Sequence, residues 1–146
     1  MRYSIEKMSQ QEVWDLLNTC NNSFTPPLSN NIPYTLEEYA KKLSENAKFV
    51  LCRECEIIIG FAAYYVNIEG KFIYIPQIWV SDKYQRKGIG ATMINKMIEL
   101  LPSDIDSIRL EVRKNNEKAY SFYAKNNFVV LAEKNGKLLM GKRIVR

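Results

Sequence analysis

Ile78-Trp79-Val80-Ser81-Asp82-Lys83-Tyr84-Gln85-Arg86-Lys87-Gly88-Ile89-Gly90-Ala91-Thr92-Met93 runs from an apolar strand through a basic loop into a helix opened by two glycines. The first amides of a helix have no partner inside it, and the helix dipole adds positive potential there, so such a start attracts anions. Gly88 and Gly90 let a phosphate approach the main chain without meeting a Cβ. Lys83, Arg86 and Lys87 add charge of the matching sign. A phosphate-bearing ligand is the chemistry this stretch fits. The same two glycines also suit a plain tight turn from strand to helix, and alone they do not choose between the readings.

The kind of phosphate ligand narrows by exclusion. A nucleotide P-loop needs Lys-Ser/Thr after its last glycine, and none follows Gly90. A dinucleotide fingerprint needs a third glycine where this chain has Met93. Just upstream, Pro76 interrupts the strand Lys71 to Val80; proline cannot donate to a ladder, so a bulge or splay is expected there. A splayed strand leaves main-chain groups for an extended, amide-bearing ligand.

Working outward, Arg2 to Met8 alternates weakly, as an edge strand does. Ser9 with Glu12 forms a capping box for a helix whose buried side is Val13, Trp14, Leu16 and Leu17. Thr19 to Asn31, with Pro26-Pro27, reads as a loop. Thr35 opens a second helix with Leu36, Tyr39, Ala40 and Leu43 at helical spacing. Phe49 to Cys52 and Ile57 to Val66 read as strands around a charged turn. Downstream, Gly88 to Leu101 places Ile89, Met93, Met97 and Leu100 on one helical face and stops at Pro102. Ser107 to Arg113 is a strand with Ile108, Leu110 and Val112 on one side. Asn116 to Lys125 is a short helix, and Phe128 to Glu133 with Lys137 to Arg143 closes as a hairpin across Asn135-Gly136. The expectation is one α/β (α+β) domain over residues 1–146, built on a mixed sheet.

Gln85-x-x-Gly88-x-Gly90, followed beyond one strand by Asn116-x-x-Ala119-x-x-Phe122-Tyr123 and Asn127-Phe128, resembles the GNAT superfamily of acetyl-CoA-dependent N-acetyltransferases. The likeness covers Phe49 to the C-terminus well and the first third by element order alone. Many relatives have Gly-Phe where this chain has Asn127-Phe128; asparagine tolerates the left-handed conformation better than other side-chain-bearing residues, so the helix end is expected to survive. The resemblance implies about four helices and a central sheet of about six to seven strands, with a V-shaped split between the two parallel strands Ile73–Val80 and Ile108–Arg113. It further implies that acetyl-CoA lies in that split as acyl donor, its pantetheine arm on main-chain groups of Ile78, Trp79 and Val80. Gln85, Arg86, Lys87, Gly88, Ile89, Gly90 and Ala91 then surround the pyrophosphate. Asn116 contacts the CoA arm or a water, or caps its helix. Tyr123 occupies the superfamily's general-acid position. Glu111 resembles the base of the ribosomal-protein N-terminal acetyltransferase branch, although strand alternation leaves open whether it faces the cleft or solvent. The acceptor is a small-molecule or peptide primary amine. A non-catalytic acyl-CoA sensor of the same fold is the alternative.

Composition sets the outer limits. The chain has 146 residues, a net charge of +5 and no histidine, so Ser-His-Asp and Cys-His nucleophilic machinery and His-bearing zinc sites are excluded. Cys52-Arg53-Glu54-Cys55 has CxxC spacing but no second pair, and it falls in a strand-turn-strand context; no metal is expected. Cys20, Cys52 and Cys55 do not make a disulfide framework. Lys134, Lys137, Lys142 and Arg143 read as a solvated hairpin face, so no nucleic-acid partner is expected. Tyr64, Tyr65, Tyr74 and Tyr84 read as strand packing, with an aromatic amine pocket as the sharper alternative. The charged start and the shortness of every apolar run, against the roughly 20 residues a membrane span needs, point to a cytoplasmic setting without a membrane partner. The Asn21-Asn22-Ser23 sequon is then a chance match. Acceptor specificity is expected from Thr19 to Lys42 and Ile57 to Phe72, with the Pro26-Pro27 loop as one wall of the acceptor cleft; a homodimer stays open.

Overall fold

The first helix starts where its side chains dictate. Ser9 Oγ accepts from Glu12 N at 3.2 Å and Glu12 Oε1 accepts from Ser9 N at 3.0 Å, closing a capping box on α1 (Gln10–Cys20). Thr35 and Glu38 repeat the device at 3.1 and 3.0 Å on α2 (Leu36–Asn46). The computed structural model describes residues 1–23, 29 and 32–145. Within them the chain continues as β2 (Lys48–Glu54), β3 (Ile57–Asn67), β4 (Phe72–Val80), α3 (Ile89–Glu99), β5 (Ser107–Arg113), α4 (Glu117–Lys125), β6 (Val129–Lys134) and β7 (Lys137–Arg143), after β1 (Arg2–Glu6) at the start. The strands form a seven-stranded mixed sheet in the order β1-β2-β3-β4-β5-β7-β6. Among the described residues this is the α/β architecture with four α-helices that the resemblance implied.

The chain divides into two compact units, Met1–Ala63 with Gln77–Met97, and Tyr64–Pro76 with Ile98–Arg146. In the first, α1 packs on α2, and β1 pairs antiparallel with β2 from Arg2↔Arg53 to Glu6↔Phe49. Its core holds an aromatic row, Phe49, Phe61 and Trp79, with successive ring centres 6.1 Å apart. A side chain at Gly60 would meet the Trp79 carbonyl at 3.2 Å and Ile89 Cγ2 at 3.4 Å, so this glycine allows α3 to lie close on the strand.

In the second unit β4 and β5 pair in parallel from Phe72↔Ser107 to Ile75↔Leu110. The ladder stops one residue before Pro76, whose missing N–H ends it. β5 then pairs with β7 along its whole length, and β6 closes on β7. Asn135 and Gly136 stand at φ 53° and 75°, the left-handed pair that a two-residue hairpin turn of type I′ demands.

Two helix ends and one buried face differ from expectation. α1 runs on through Cys20 into a 3-10 turn at Asn21–Ser23, because the buried thiol of Cys20 extends the apolar stripe of Val13, Leu16 and Leu17. Burial pushes that thiol up to about 12. Trp14, placed on the buried side, is 40% exposed. Leu100, placed in the α3 stripe, is 70% exposed beyond the helix end at Glu99. Pro26-Pro27 lies outside the described residues.

Candidate acyl-donor and acceptor site

The decisive segment lies in the first unit, where β4 leaves the sheet. Ser81 N donates to Ile59 O at 2.8 Å and pins the strand end. A 3-10 turn, Asp82–Tyr84, follows. Gln85 Nε2 then reaches back to the Val80 carbonyl at 3.1 Å and to Asp82 Oδ1 at 3.3 Å, so this glutamine holds the loop in shape from inside. Arg86 and Gly88 both adopt left-handed backbone, φ 64° and 80°. Nothing lies within 4 Å of a Cβ built at Gly88; conformation, not crowding, requires glycine there. The tight-turn reading of Gly88 therefore holds, and it coexists with the anion reading.

The Gly88 carbonyl accepts from Thr92 N at 2.9 Å and Thr92 Oγ1 at 2.8 Å, which makes Gly88 the capping residue of α3. Glycine has no side chain with which to cap the amides of the first turn. No acidic residue stands in that turn either. Ile89 is buried and anchors the helix start in the core, while Arg86 and Lys87 are exposed. Lys87 Nζ lies 5.5 Å from the centre of the Tyr84 ring. Left-handed residues beside a helix start are the kind of backbone that can present main-chain N–H groups to an oxyanion.

Ile78 and Val80 are half-buried and Trp79 is 8% exposed. Of the main-chain groups of Ile78, Trp79 and Val80, the Val80 carbonyl already accepts from Gln85 Nε2. The Trp79 indole Nε1 is buried with no hydrogen-bond partner.

The remaining residues singled out from the sequence fall in the second unit. Tyr123 is 7% exposed, its ring edge-on to Phe122 at 5.3 Å and to Phe128 at 5.5 Å. Burial raises its phenol above the ordinary range, so the group keeps its proton through neutral and moderately alkaline pH. The backbone beneath it is locked: Phe128 N donates to Tyr123 O at 3.0 Å and Asn127 N to Ala124 O at 3.1 Å, with Asn127 at φ 70°. That is a Schellman end with asparagine in the place usually held by glycine. Asn116 Oδ1 accepts from Ala119 N at 3.1 Å and caps α4.

Glu111 is exposed on the face of β5 opposite Ile108, Leu110 and Val112. Its Oε1 accepts a 2.9 Å hydrogen bond from the Tyr74 hydroxyl. The sequence reading counted Tyr74 as packing and missed this pair. The signal that finds it is register: Tyr74 pairs with Arg109, and Glu111 stands two residues on along the same face. Among the described residues no cluster of His, Cys, Asp and Glu has the makings of a metal site, and no helix is long and apolar enough to cross a membrane.

A profile of the acetyltransferase (GNAT) family matches residues 11–128, four fifths of the chain and both motifs. The chain belongs to the acetyltransferase (GNAT) family. Two curated relatives resemble part of it: thialysine N-epsilon-acetyltransferase of Bos taurus, 31% identical over 45% of this chain and 41% of the relative, and N-alpha-acetyltransferase 50 of Danio rerio, 35% identical over 44% and 39%. The match thus spans about two fifths of each relative's length. Among solved structures, PaiA N-acetyltransferase of Thermoplasma acidophilum in complex with coenzyme A is similar at TM-score 0.77 and 21% identity, covering 99% of this chain and 100% of that one. The ribosomal-protein-S18-alanine N-acetyltransferase of Escherichia coli follows at 0.71 and 18%, covering 99% and 96%. At these identities the structural likenesses establish that the GNAT fold is shared.

Proposed function

We propose that residues 1–146 form one acetyltransferase domain that moves the acetyl group of acetyl-CoA to a primary amine. The observation that carries this reading is the start of α3, left without a capping side chain or acid and reached through a loop bearing Lys83, Arg86 and Lys87. The amides of Gly88, Ile89, Gly90 and Ala91 hold the pyrophosphate, and main-chain groups of Ile78, Trp79 and Val80 take the pantetheine arm. A similar structure was solved with coenzyme A, in keeping with that assignment. Acetyl-CoA supplies an acetyl group activated as a thioester.

The chain's own residues handle two protons. Glu111, hydrogen-bonded to Tyr74, accepts one from the ammonium of the acceptor, directly or through a water. The amine nitrogen then bonds to the acetyl carbon while the carbon–sulfur bond breaks. Tyr123 protonates the departing thiolate, and its phenolate recovers a proton from the nitrogen that has become an amide. The products are the acetylated amine, CoA thiol and the proton on Glu111. A phenol raised by burial is a reluctant acid in the resting protein. It gives up its proton only as negative charge develops on sulfur in the same dry surroundings, which confines the transfer to the reaction itself.

Release of thiol from acetyl-CoA across a panel of amines tests the reading. Tyr123→Phe is expected to lower kcat about 100-fold or more while CoA affinity changes less than about twofold. Glu111→Gln is expected to lose most activity at neutral pH and regain it as rising pH deprotonates the amine itself. CoA binding with no thiol release from any amine would overturn the catalytic part and leave a binding-only relative.

A further inference from the structure

Beside Glu111 lies a cavity that the reaction outlined above does not use. It is an open depression of about 630 Å³ against the turn between β3 and β4, with Tyr65, Val66, Ile68, Phe72 and Tyr74 in its lining. That size suits a small organic molecule or one bulky side chain. The lining is mainly apolar, yet Ile68 is 69% exposed and Val66 37%, so apolar surface faces solvent at a built concavity.

The walls are set in place. A Cβ at Gly70 would come 2.5 Å from Phe72 Cε1, so only glycine at that position admits the ring. The Arg109 guanidinium lies 4.1 Å from the centre of the same ring. The turn is tied by Gly70 N to Asn67 Oδ1 at 2.8 Å and by Asp106 N to Lys71 O at 2.9 Å. Tyr74 joins the cavity to the chemistry, since its ring lines the space and its hydroxyl donates to Glu111 at 2.9 Å.

We propose that this cavity seats the apolar substituent of the acceptor, and that the acceptor is a primary monoamine bearing an alkyl or aryl group of about phenyl size. The inference rests on the acetyl-transfer reading above. Charge fixes the orientation. The ammonium end is met by the Glu111 carboxylate and by the Tyr74 ring that carries its hydrogen-bond donor. At the far end the Arg109 guanidinium on Phe72 and the Glu69 carboxylate of the turn bring both signs of charge, so the apolar walls are what disfavour the second ammonium of a diamine. An amine carrying only a hydroxyl leaves the apolar walls wet and gains little.

The test uses the full chain with 2-phenylethylamine, ethanolamine, butane-1,4-diamine and a short peptide with an N-terminal phenylalanine. The expected result is a kcat/KM at least about tenfold higher for 2-phenylethylamine than for ethanolamine or the diamine. Ile68→Ser, at an exposed turn position, is expected to raise KM for 2-phenylethylamine about tenfold more than for ethanolamine. Comparable acetylation of the peptide assigns a peptide N-terminus as the source of this chemistry, and its rejection assigns a free amine; either supports the cavity. Calorimetric titration of 2-phenylethylamine into CoA-saturated protein supplies a readout without turnover, and Ile68→Ser should weaken that binding about tenfold. Equal kcat/KM across the amines, or 2-phenylethylamine binding untouched by Ile68→Ser, would overturn the cavity assignment while leaving acetyl transfer standing. Absence of thiol release from every amine would instead count against the transfer reading, and the calorimetric arm would still decide the cavity.

Discussion

Among the described residues, α1, α2 and α4 begin one way and α3 another. Ser9, Thr35 and Asn116 each satisfy a first-turn amide, and Glu12, Glu37, Glu38 and Glu117 place negative charge where the helix dipole is positive. The effect is visible on Glu38: its hydrogen bonds from the Thr35 backbone and side chain hold its carboxyl below the usual range. These three starts are already neutralised by the chain. α3 starts at Gly88, with neither a capping side chain nor an acid in its first turn. A capped start stabilises a fold. An uncapped one behind a basic loop leaves its amides to a ligand, so on the proposed function one backbone motif serves structure in three places and binding in the fourth.

The sharpest way to break the contrast is to give α3 what the others have. Ala91→Asp puts a carboxylate in its first turn. The helix should gain about 0.3–1 kcal/mol from its dipole, while CoA affinity falls about 10- to 100-fold through repulsion and loss of charge-assisted hydrogen bonds. Calorimetry and urea midpoints read the two effects, which must have opposite signs; matching signs would mean the Asp acts through folding alone. The converse change is Ser9→Ala, which removes a cap where no ligand binds. It should cost about 1 kcal/mol of stability and leave the CoA dissociation constant unchanged.

The smallest effect sharpens the contrast at a helix end. α4 stops with Asn127 at φ 70°, a conformation that glycine adopts without cost. Asn127→Gly should raise stability by about 0.5 kcal/mol, seen as a higher urea midpoint, with the Tyr123-dependent rate unchanged. A fall in stability would show that the Asn127 side chain contributes more than its backbone conformation costs.

Much of this was legible in the sequence because the signals are local. A capping box spans four positions, an Asn-Gly hairpin two, and the alternation of Ile108, Leu110 and Val112 a single strand. The misplacements have two causes. Periodicity marks the direction of a helix face but not its width, which put Trp14 inside the core, nor the residue where a helix stops, which put Leu100 inside α3 and Cys20 outside α1. The glycine-opened start of α3 was readable because Gly88, the basic loop and the missing capping side chain are all local in sequence. The Tyr74–Glu111 pair was not, because it joins residues 37 apart in sequence through a parallel register that no local pattern encodes. The cavity against the β3–β4 turn is local, lined within residues 65–74, but strand alternation does not say which side of a hairpin leaves an open space.

The most direct trial is an amide-resolved NMR titration of the 15N-labelled protein with CoA. Saturation should move the resonances of Gly88, Ile89, Gly90 and Ala91 most among helix starts, while the capped amides of Glu12, Glu38 and Ala119 stay near their free positions. CoA that binds while leaving residues 88–91 unmoved would contradict the account at its root.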